Sequence, residues 1–183
     1  NLFLLPFYTM PPSSPGQKFF HAFVPIDDYN NQRWTFVWNL DRPIMAGSRE
    51  EWRNGSGLHA AQLPGPDHWP LRNKDNDYLL SRDYQKNLTF TGITGTGEQD
   101  FSVQEGMGPI TPRQKEHLGT TDIGIIKSRR RLLKEATSLQ DGEEPYAAAN
   151  GSVYYLRAGD VLLTATESWL DDPKIKSLQT ATW

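Results

Sequence analysis

One basic side chain occupies an unusual place in a predicted helix. Arg129 falls near the middle of the apolar stripe of a helix expected over residues 121–139, at about 100° per residue. A cation on a core-facing stripe needs a partner. The partner is either a buried acid from a sheet, which would make a structural ion pair, or a substrate carboxylate gripped by two hydrogen bonds. The structural ion pair is the preferred interpretation.

A short helix carries a pair of acids. It is predicted over Glu98–Met107, after the glycine-rich turn Gly92–Gly97, and it ends at Gly108. Taken alone, Glu98 and Asp100 indicate no more than acids that favour the positive end of a helix. The turn lacks a following Gly-Lys-Ser/Thr and a Rossmann glycine pattern, so it predicts a tight turn and not a phosphate site.

Composition excludes several classes of site. The 183 residues contain no cysteine, which excludes disulfides, thiolate zinc sites and a cysteine-held iron–sulfur cluster within the chain. A net charge of −3 without a basic stripe argues against nucleic acid as a partner. No apolar run reaches the ~20 residues of a membrane helix, and we expect a cytoplasmic protein without a membrane partner.

The order of elements predicts an α+β fold. An aromatic-rich meander is expected first, with a hairpin turn at Asp27–Asn31, and Trp34, Phe36 and Trp38 on one face. A long irregular insert, a short helix, the long helix and a last hairpin follow, with the sheet packed on the long helix. The predicted strands are Leu2–Thr9, Phe19–Pro25, Arg33–Asn39, Tyr78–Leu80, Leu88–Thr91, Ser152–Arg157 and Val161–Thr166, and a short helix is predicted at Ser48–Trp52.

Scattered blocks over residues 1 to about 134 resemble one enzyme family. The blocks are Leu5–Thr9, Val24–Asp28, Asn76–Asp83, Phe90–Ile93, Gln99–Ile110, Glu116–Gly119, Asp122 and Arg129–Leu133. Together they are similar to the oxygenase (alpha) subunits of phthalate 4,5-dioxygenase and its relatives, which are Rieske non-haem iron oxygenases that hydroxylate aromatic rings of aromatic acids.

The resemblance implies a fold and a metal centre. The fold is a helix-grip (Bet v1-like or START-like) catalytic domain, of which the whole chain, residues 1–183, would be the carboxy-terminal part. The metal is a mononuclear Fe(II) held by two histidines and one carboxylate, which suits dioxygen activation. The family's late Asp, followed five residues on by a Glu, matches Asp100 and Glu105. Asp100 is then the ligand, and Gln104, one turn on, would brace it.

The same resemblance implies cofactors and partners. A [2Fe-2S] Rieske cluster would lie in an amino-terminal domain that is missing here. The two iron histidines would lie in a separate segment upstream of residue 1, because His21, His59, His68 and His117 lack the family's close spacing. The resemblance further implies NAD(P)H acting through a partner reductase or ferredoxin, dioxygen and an aromatic acid as substrates, and a homotrimer.

Three residues are candidates for binding the aromatic acid. They are Arg129, Phe90 and Ile93. Aromatic and aliphatic walls suit a flat apolar ring, although both apolar residues are equally plausible in a plain core. The alternative function is a metal-free helix-grip module that binds an apolar ligand, because fold alone does not decide function. The fragment by itself would be inactive under the enzyme hypothesis.

Overall fold

The computed structural model describes residues 2–12, 17–39, 41–55, 58–159 and 161–178. Two compact units divide the chain. Unit 1 contains Asn1–Asp41 and Lys115–Trp183, and unit 2 contains Arg42–Gln114. The α+β prediction is confirmed, with a four-stranded antiparallel sheet and several helices.

The sheet of unit 1 is a simple meander in the order β1-β2-β3-β4. The strands are β1 Leu2–Leu4, β2 Tyr8–Met10, β3 Gln17–Pro25 and β4 Asn31–Asn39. Phe20 lies opposite Phe36, with ring centroids 5.1 Å apart, and Trp34 stacks on Phe36 at 6.4 Å. The predicted aromatic face is therefore confirmed, because alternation along paired strands places these rings on one side.

The first predicted strand, Leu2–Thr9, is wrong in its extent. It is a hairpin of two short strands, with a turn over residues 5–7. Pro6 is the physical reason, since it has no N–H to donate to a ladder and its φ is fixed. The predicted turn at Asp27–Asn31 is confirmed. Its Asp27 carboxylate accepts hydrogen bonds from the amides of Tyr29 and Asn30, at 2.8 and 2.7 Å. These hydrogen bonds lower the pKa of Asp27, and the largest contribution comes from the side chain of Asn30.

The long helix of unit 1 is confirmed and bears exposed apolar side chains. Helix α4 spans Ile123–Gln140, within two residues of the predicted range 121–139 at each end. Ile125, Leu133 and Leu139 of the expected core stripe are 49%, 69% and 59% exposed. The helices in chain order are α1 Ala46–Arg53, α2 Arg82–Asn87, α3 Thr96–Gly106, α4, α5 Tyr146–Ala149 and α6 Pro173–Leu178, with 3-10 turns at Lys74–Leu79, Arg113–Lys115, Thr120–Asp122 and Gly151–Tyr154.

The last predicted hairpin is wrong. Residues 151–154 form a 3-10 turn, and the described stretches 155–159 and 161–166 contain no strand. Asp160 of the predicted turn lies outside the described residues. Tyr154 explains the outcome in part. Its hydroxyl donates to the Leu5 carbonyl at 2.7 Å, and its ring meets Tyr8 edge-on at 6.4 Å. Long-range contacts of this kind override local strand preference.

Unit 2 is built from helices and turns. The strand predictions for Tyr78–Leu80 and Leu88–Thr91 are wrong, since the first lies at the end of a 3-10 turn and the second is irregular. Helix α2, which the pattern missed, begins where the Ser81 side chain accepts the amide of Tyr84 at 3.1 Å. Helices α1 and α3 confirm the predictions for Ser48–Trp52 and Glu98–Met107 to within a few residues.

The helices are too short or too polar to cross a membrane, as far as the structure describes them. Across the described ranges, none of the helices combines the length and apolar character that a bilayer crossing requires.

Candidate functional site

Helix α3 has two chemically different sides. Residues along a helix are about 100° apart, so Asp100, Val103, Gln104 and Met107 share one side. Glu98 and Glu105 lie about 140–160° away from Asp100, on the other side. The first side is exposed, and the second side begins with a fully buried carboxylate, Glu98, at 0% exposure.

The side that carries Asp100 combines a carboxylate with apolar groups. Asp100 and Gln104 are exposed, Val103 is 66% exposed and Met107 is 47% exposed. Two exposed apolar side chains on the same helix side as an accessible carboxylate suit a ligand or a protein surface better than water alone. No hydrogen bond joins Asp100 to Gln104 in the part of the chain that the structure describes, so the bracing role of Gln104 stays a prediction.

The opposite side of α3 is fixed at its first turn. The guanidinium of Arg72 lies 3.7 Å from the Glu98 carboxylate. The Glu98 side chain folds back toward Gly95, the residue before the helix, which has φ +91°. A Cβ on Gly95 would lie 2.1 Å from a carboxylate oxygen of Glu98. A glycine is therefore required here both by its backbone angle and by the space that Glu98 occupies.

The last turn of α3 has a second polar contact. The Tyr78 hydroxyl donates a hydrogen bond to the Glu105 carboxylate. Partial burial, followed by that hydrogen bond and by repulsion from Glu105 and Asp75, raises the pKa of Tyr78 above its ordinary value. Tyr78 stands in a run of three residues with positive φ, between Asp77 at 49° and Leu79 at 50°. Three such residues in succession are strained, so the surrounding contacts must hold them.

A cleft of about 500 Å³ lies beside this contact. Its lining consists of Asp77, Tyr78, Leu80, Arg82, Ile93 and Ser102. Ile93, a predicted substrate contact, is 5% exposed and lines the cleft, whereas Phe90 is fully exposed. Ser102 lies about 160° round α3 from Asp100, so this cleft is on the opposite side from the candidate ligand. The substrate roles of Phe90 and Ile93 stay predictions.

Arg129 has an acidic partner in unit 1. Its two terminal nitrogens contact the two carboxylate oxygens of Glu116 at 2.5 and 3.2 Å, which is a bidentate pair. Glu116 precedes α4 in an irregular stretch, so the expectation that the acid would come from the sheet is wrong. The pair is partly exposed, with side-chain accessibilities of 39% and 24%. This geometry supports the structural interpretation, and contact of Arg129 with a substrate stays a prediction.

Asp100 fits only one position of the expected iron site. It offers an accessible carboxylate of the right kind. Within the described ranges, no three His, Asp or Glu side chains come together as a metal site. The nitrogen of His21 contacts the Thr35 hydroxyl at 2.9 Å, His68 contacts Gln62 at 3.0 Å, and His117 is exposed. These residues supply no histidine pair for Asp100.

The sequence analysis did not predict the contacts that α3 makes through Glu98 and Glu105. Glu105 was matched to the family pattern without a role, and Tyr78 was placed in a strand. One signal was available: Glu98 stands three residues after Gly95, which is the spacing of a carboxylate that folds back on a helix start. No local pattern indicates that Tyr78 reaches a residue 27 positions away.

Three known proteins that are similar to this chain are oxygenase subunits. The phthalate 4,5-dioxygenase oxygenase subunit of Pseudomonas putida is 34% identical over 120 residues, 66% of this chain and 27% of its own length. The 3-chlorobenzoate-3,4-dioxygenase oxygenase subunit of Comamonas testosteroni is 30% identical over 186 aligned positions, 91% of this chain and 42% of its own. The 5,5'-dehydrodivanillate O-demethylase oxygenase subunit of Sphingobium sp. is 29% identical over 80 residues, 44% of this chain and 16% of its own.

The chain thus spans about a quarter of the length of the Pseudomonas putida subunit and about two fifths of the length of the Comamonas testosteroni subunit. A family model described as LigXa C-terminal domain like matches residues 1–172. The predicted kinship with phthalate 4,5-dioxygenase-like oxygenase subunits is confirmed, and the chain belongs to the LigXa C-terminal domain-like family.

Proposed function

We propose that this chain is the carboxy-terminal part of the catalytic domain of a Rieske-type oxygenase that acts on an aromatic acid. Its part in the reaction is to present the Asp100 carboxylate as one ligand of a mononuclear iron. The observation that supports this role most directly is the exposed side of α3, which Asp100 shares with Val103 and Met107. The names of the relatives, two dioxygenases and one demethylase, support the reaction class.

The remaining parts of the proposal concern the longer subunit. Two histidines from outside the described residues would complete the iron site, and the bound iron would supply the activation of dioxygen. A Rieske cluster in a separate domain would receive electrons from NAD(P)H through a reductase or ferredoxin. The oxygenase-subunit names of the relatives support the separate electron donor. A helix-grip arrangement of sheet and α4 and a homotrimeric assembly complete the proposal, and both come from the family resemblance alone.

The residues of this chain would act mainly by position. A carboxylate beside apolar groups binds a divalent cation in surroundings that the aromatic ring can also enter. Gln104, one helical turn from Asp100, could donate to the carboxylate oxygen that the metal leaves unused. Neither residue transfers a proton in this proposal, so their effect should appear first in metal binding.

The test compares Asp100→Ala with Asp83→Ala in the intact oxygenase that contains this chain. Both are exposed acids on short helices of unit 2, and only the first is a candidate ligand. Loss of a second-sphere group already costs about 10–100-fold in metal affinity, so loss of Asp100 should cost at least tenfold. Iron per subunit is measured after dialysis. Full iron retention in Asp100→Ala would reject the ligand role.

A further inference from the structure

We infer that the stretch from Arg72 to Tyr78, here called the bracing segment, holds α3 at both ends and so sets the direction in which Asp100 points. This inference rests on the proposed ligand role of Asp100. It assigns positioning roles to Glu98 and Glu105, neither of which is a ligand in the proposal. Both face away from Asp100; Glu98 is buried and Glu105 is exposed.

The first contact is at the start of α3. Glu98 is fully buried, and the Arg72 guanidinium approaches it to 3.7 Å. A carboxylate carries a large cost of desolvation, which a nearby cation and the amino-terminal end of a helix reduce. The Glu98 carboxylate occupies the space that a side chain on Gly95 would need. The first turn of α3 is thereby fixed to the beginning of the bracing segment.

The second contact is at the end of α3. Glu105 belongs to the last turn of the helix and accepts the Tyr78 hydroxyl from the end of the bracing segment. A hydrogen bond from a hydroxyl to a charged carboxylate is stronger than a neutral one. Two contacts, seven residues apart on the helix, prevent rotation about its axis better than one contact could.

The bracing segment is itself held by asparagine side chains. The amide of Asp75 donates to Asn73 at 3.0 Å, and the amide of Asn73 donates to Asn76 at 3.1 Å. The side-chain amides of the two asparagines donate to the carbonyls of Pro70 and Leu71, at 2.9 and 2.8 Å. Asn73 is only 7% exposed. This network supplies the stiffness that a positioning element needs, and it offsets the strain at residues 77–79.

The consequence for Asp100 is geometric. A ligand carboxylate must be held to within about 0.5 Å and 10–20° of its productive position. An exposed helix side that makes few contacts of its own cannot provide this accuracy. The bracing segment provides this accuracy through its contacts on the opposite side of α3. Loss of these contacts should therefore weaken metal binding, although no residue of the segment reaches the metal.

The experiment uses four variants of the intact oxygenase: Tyr78→Phe, Glu105→Ala, Glu105→Gln and, as a matched control, Tyr84→Phe on α2. Hydrogen exchange of the α3 amides and iron per subunit are measured together. Tyr78→Phe and Glu105→Ala should speed exchange in the last turn of α3 about three- to tenfold, from the loss of one charge-assisted hydrogen bond. Both should also lower iron retention, and Glu105→Gln, which keeps an acceptor, should recover part of each effect.

The outcomes separate the two proposals. Unchanged α3 exchange in Tyr78→Phe and Glu105→Ala overturns the bracing role. Faster exchange with full iron retention also overturns it, because the contact would then serve stability alone. An equal effect of Tyr84→Phe would show that any lost tyrosine hydroxyl in this unit suffices, and would likewise reject it. Failure of the ligand role is recognised separately, by iron retained in Asp100→Ala.

Discussion

Unit 1 and unit 2 are each stabilised internally by a different kind of interaction. Unit 1 is organised by repetition: β3 and β4 pair over nine residues, and aromatic side chains recur on alternate positions. Unit 2 is organised by single contacts, such as Glu98 with Arg72, Tyr78 with Glu105 and the two asparagines of the bracing segment. The loss of one member of a repeated set leaves its neighbours in place, whereas the loss of a single contact leaves nothing to substitute for it.

The difference also concerns the backbone. All four non-glycine residues with positive φ lie in unit 2, within the part of the chain that is described: His68, Asp77, Tyr78 and Leu79. Such conformations persist only where the surroundings determine them. The candidate ligand Asp100 belongs to this unit, so the proposed function depends on the region that a few specific residues hold in place.

The largest expected effect contrasts glycines of the two units. Gly95→Ala should destabilise the chain by about 2–5 kcal/mol, because a positive φ costs a side chain about 1–2 kcal/mol and displacing the buried Glu98 carboxylate adds about 1–3 kcal/mol. The free energy of unfolding is measured by urea denaturation followed by circular dichroism. The clash that Gly95 avoids is a 2.1 Å approach to Glu98.

The matched control is Gly124→Ala, within α4 of unit 1. A Cβ there meets nothing within 4 Å, and a helix-interior alanine should stabilise by about 0.5–1 kcal/mol. Opposite signs for the two variants would sharpen the contrast between the units. Equal changes in the two variants would contradict it.

Sequence patterns predicted the repetitive elements and missed the single contacts. β3, β4 and α4 follow from alternation and helical periodicity, which act over many residues at once. Tyr78 was assigned to a strand, yet the Asn73 and Asn76 side chains stabilise the turn over Lys74–Leu79, in which Tyr78 has a positive φ. The contact of Tyr78 with Glu105 joins residues that no local pattern connects.

The candidate site shows the same division. Helix α3, and the side of it that Asp100 shares with Gln104, could be predicted from spacing. The burial of Glu98 could not, because an acid in a first turn is ordinarily exposed. The pairing of Arg129 was expected but its partner was not, since Glu116 lies in an irregular stretch without periodicity.

A smaller effect tests whether unit 1 also depends on single polar contacts. Tyr154→Phe removes the hydrogen bond to the Leu5 carbonyl, which joins residues 149 positions apart. The expected loss is about 1 kcal/mol, since a partly buried neutral hydrogen bond contributes about that much. Tyr155→Phe is the control, because Tyr155 is 55% exposed. A loss in Tyr154→Phe as large as that in Gly95→Ala would remove the proposed distinction between the units.

The smallest effect is a dependence on alkaline pH that originates in unit 2. The pKa of Tyr78 is raised above its ordinary value of 10.0, first by burial and then by the Glu105 carboxylate. Above pH 10 the unfolded chain therefore releases this proton before the folded chain does, and the free energy of unfolding falls as pH rises. Below pH 10 the contribution is fully present. In Tyr78→Phe the decline between pH 10 and 11 should be shallower than in the wild type. If the free energy of unfolding declined equally steeply with pH in wild type and Tyr78→Phe, the Tyr78 hydroxyl would contribute nothing to the pH dependence. The contact with Glu105 would then not count among the single contacts that stabilise unit 2.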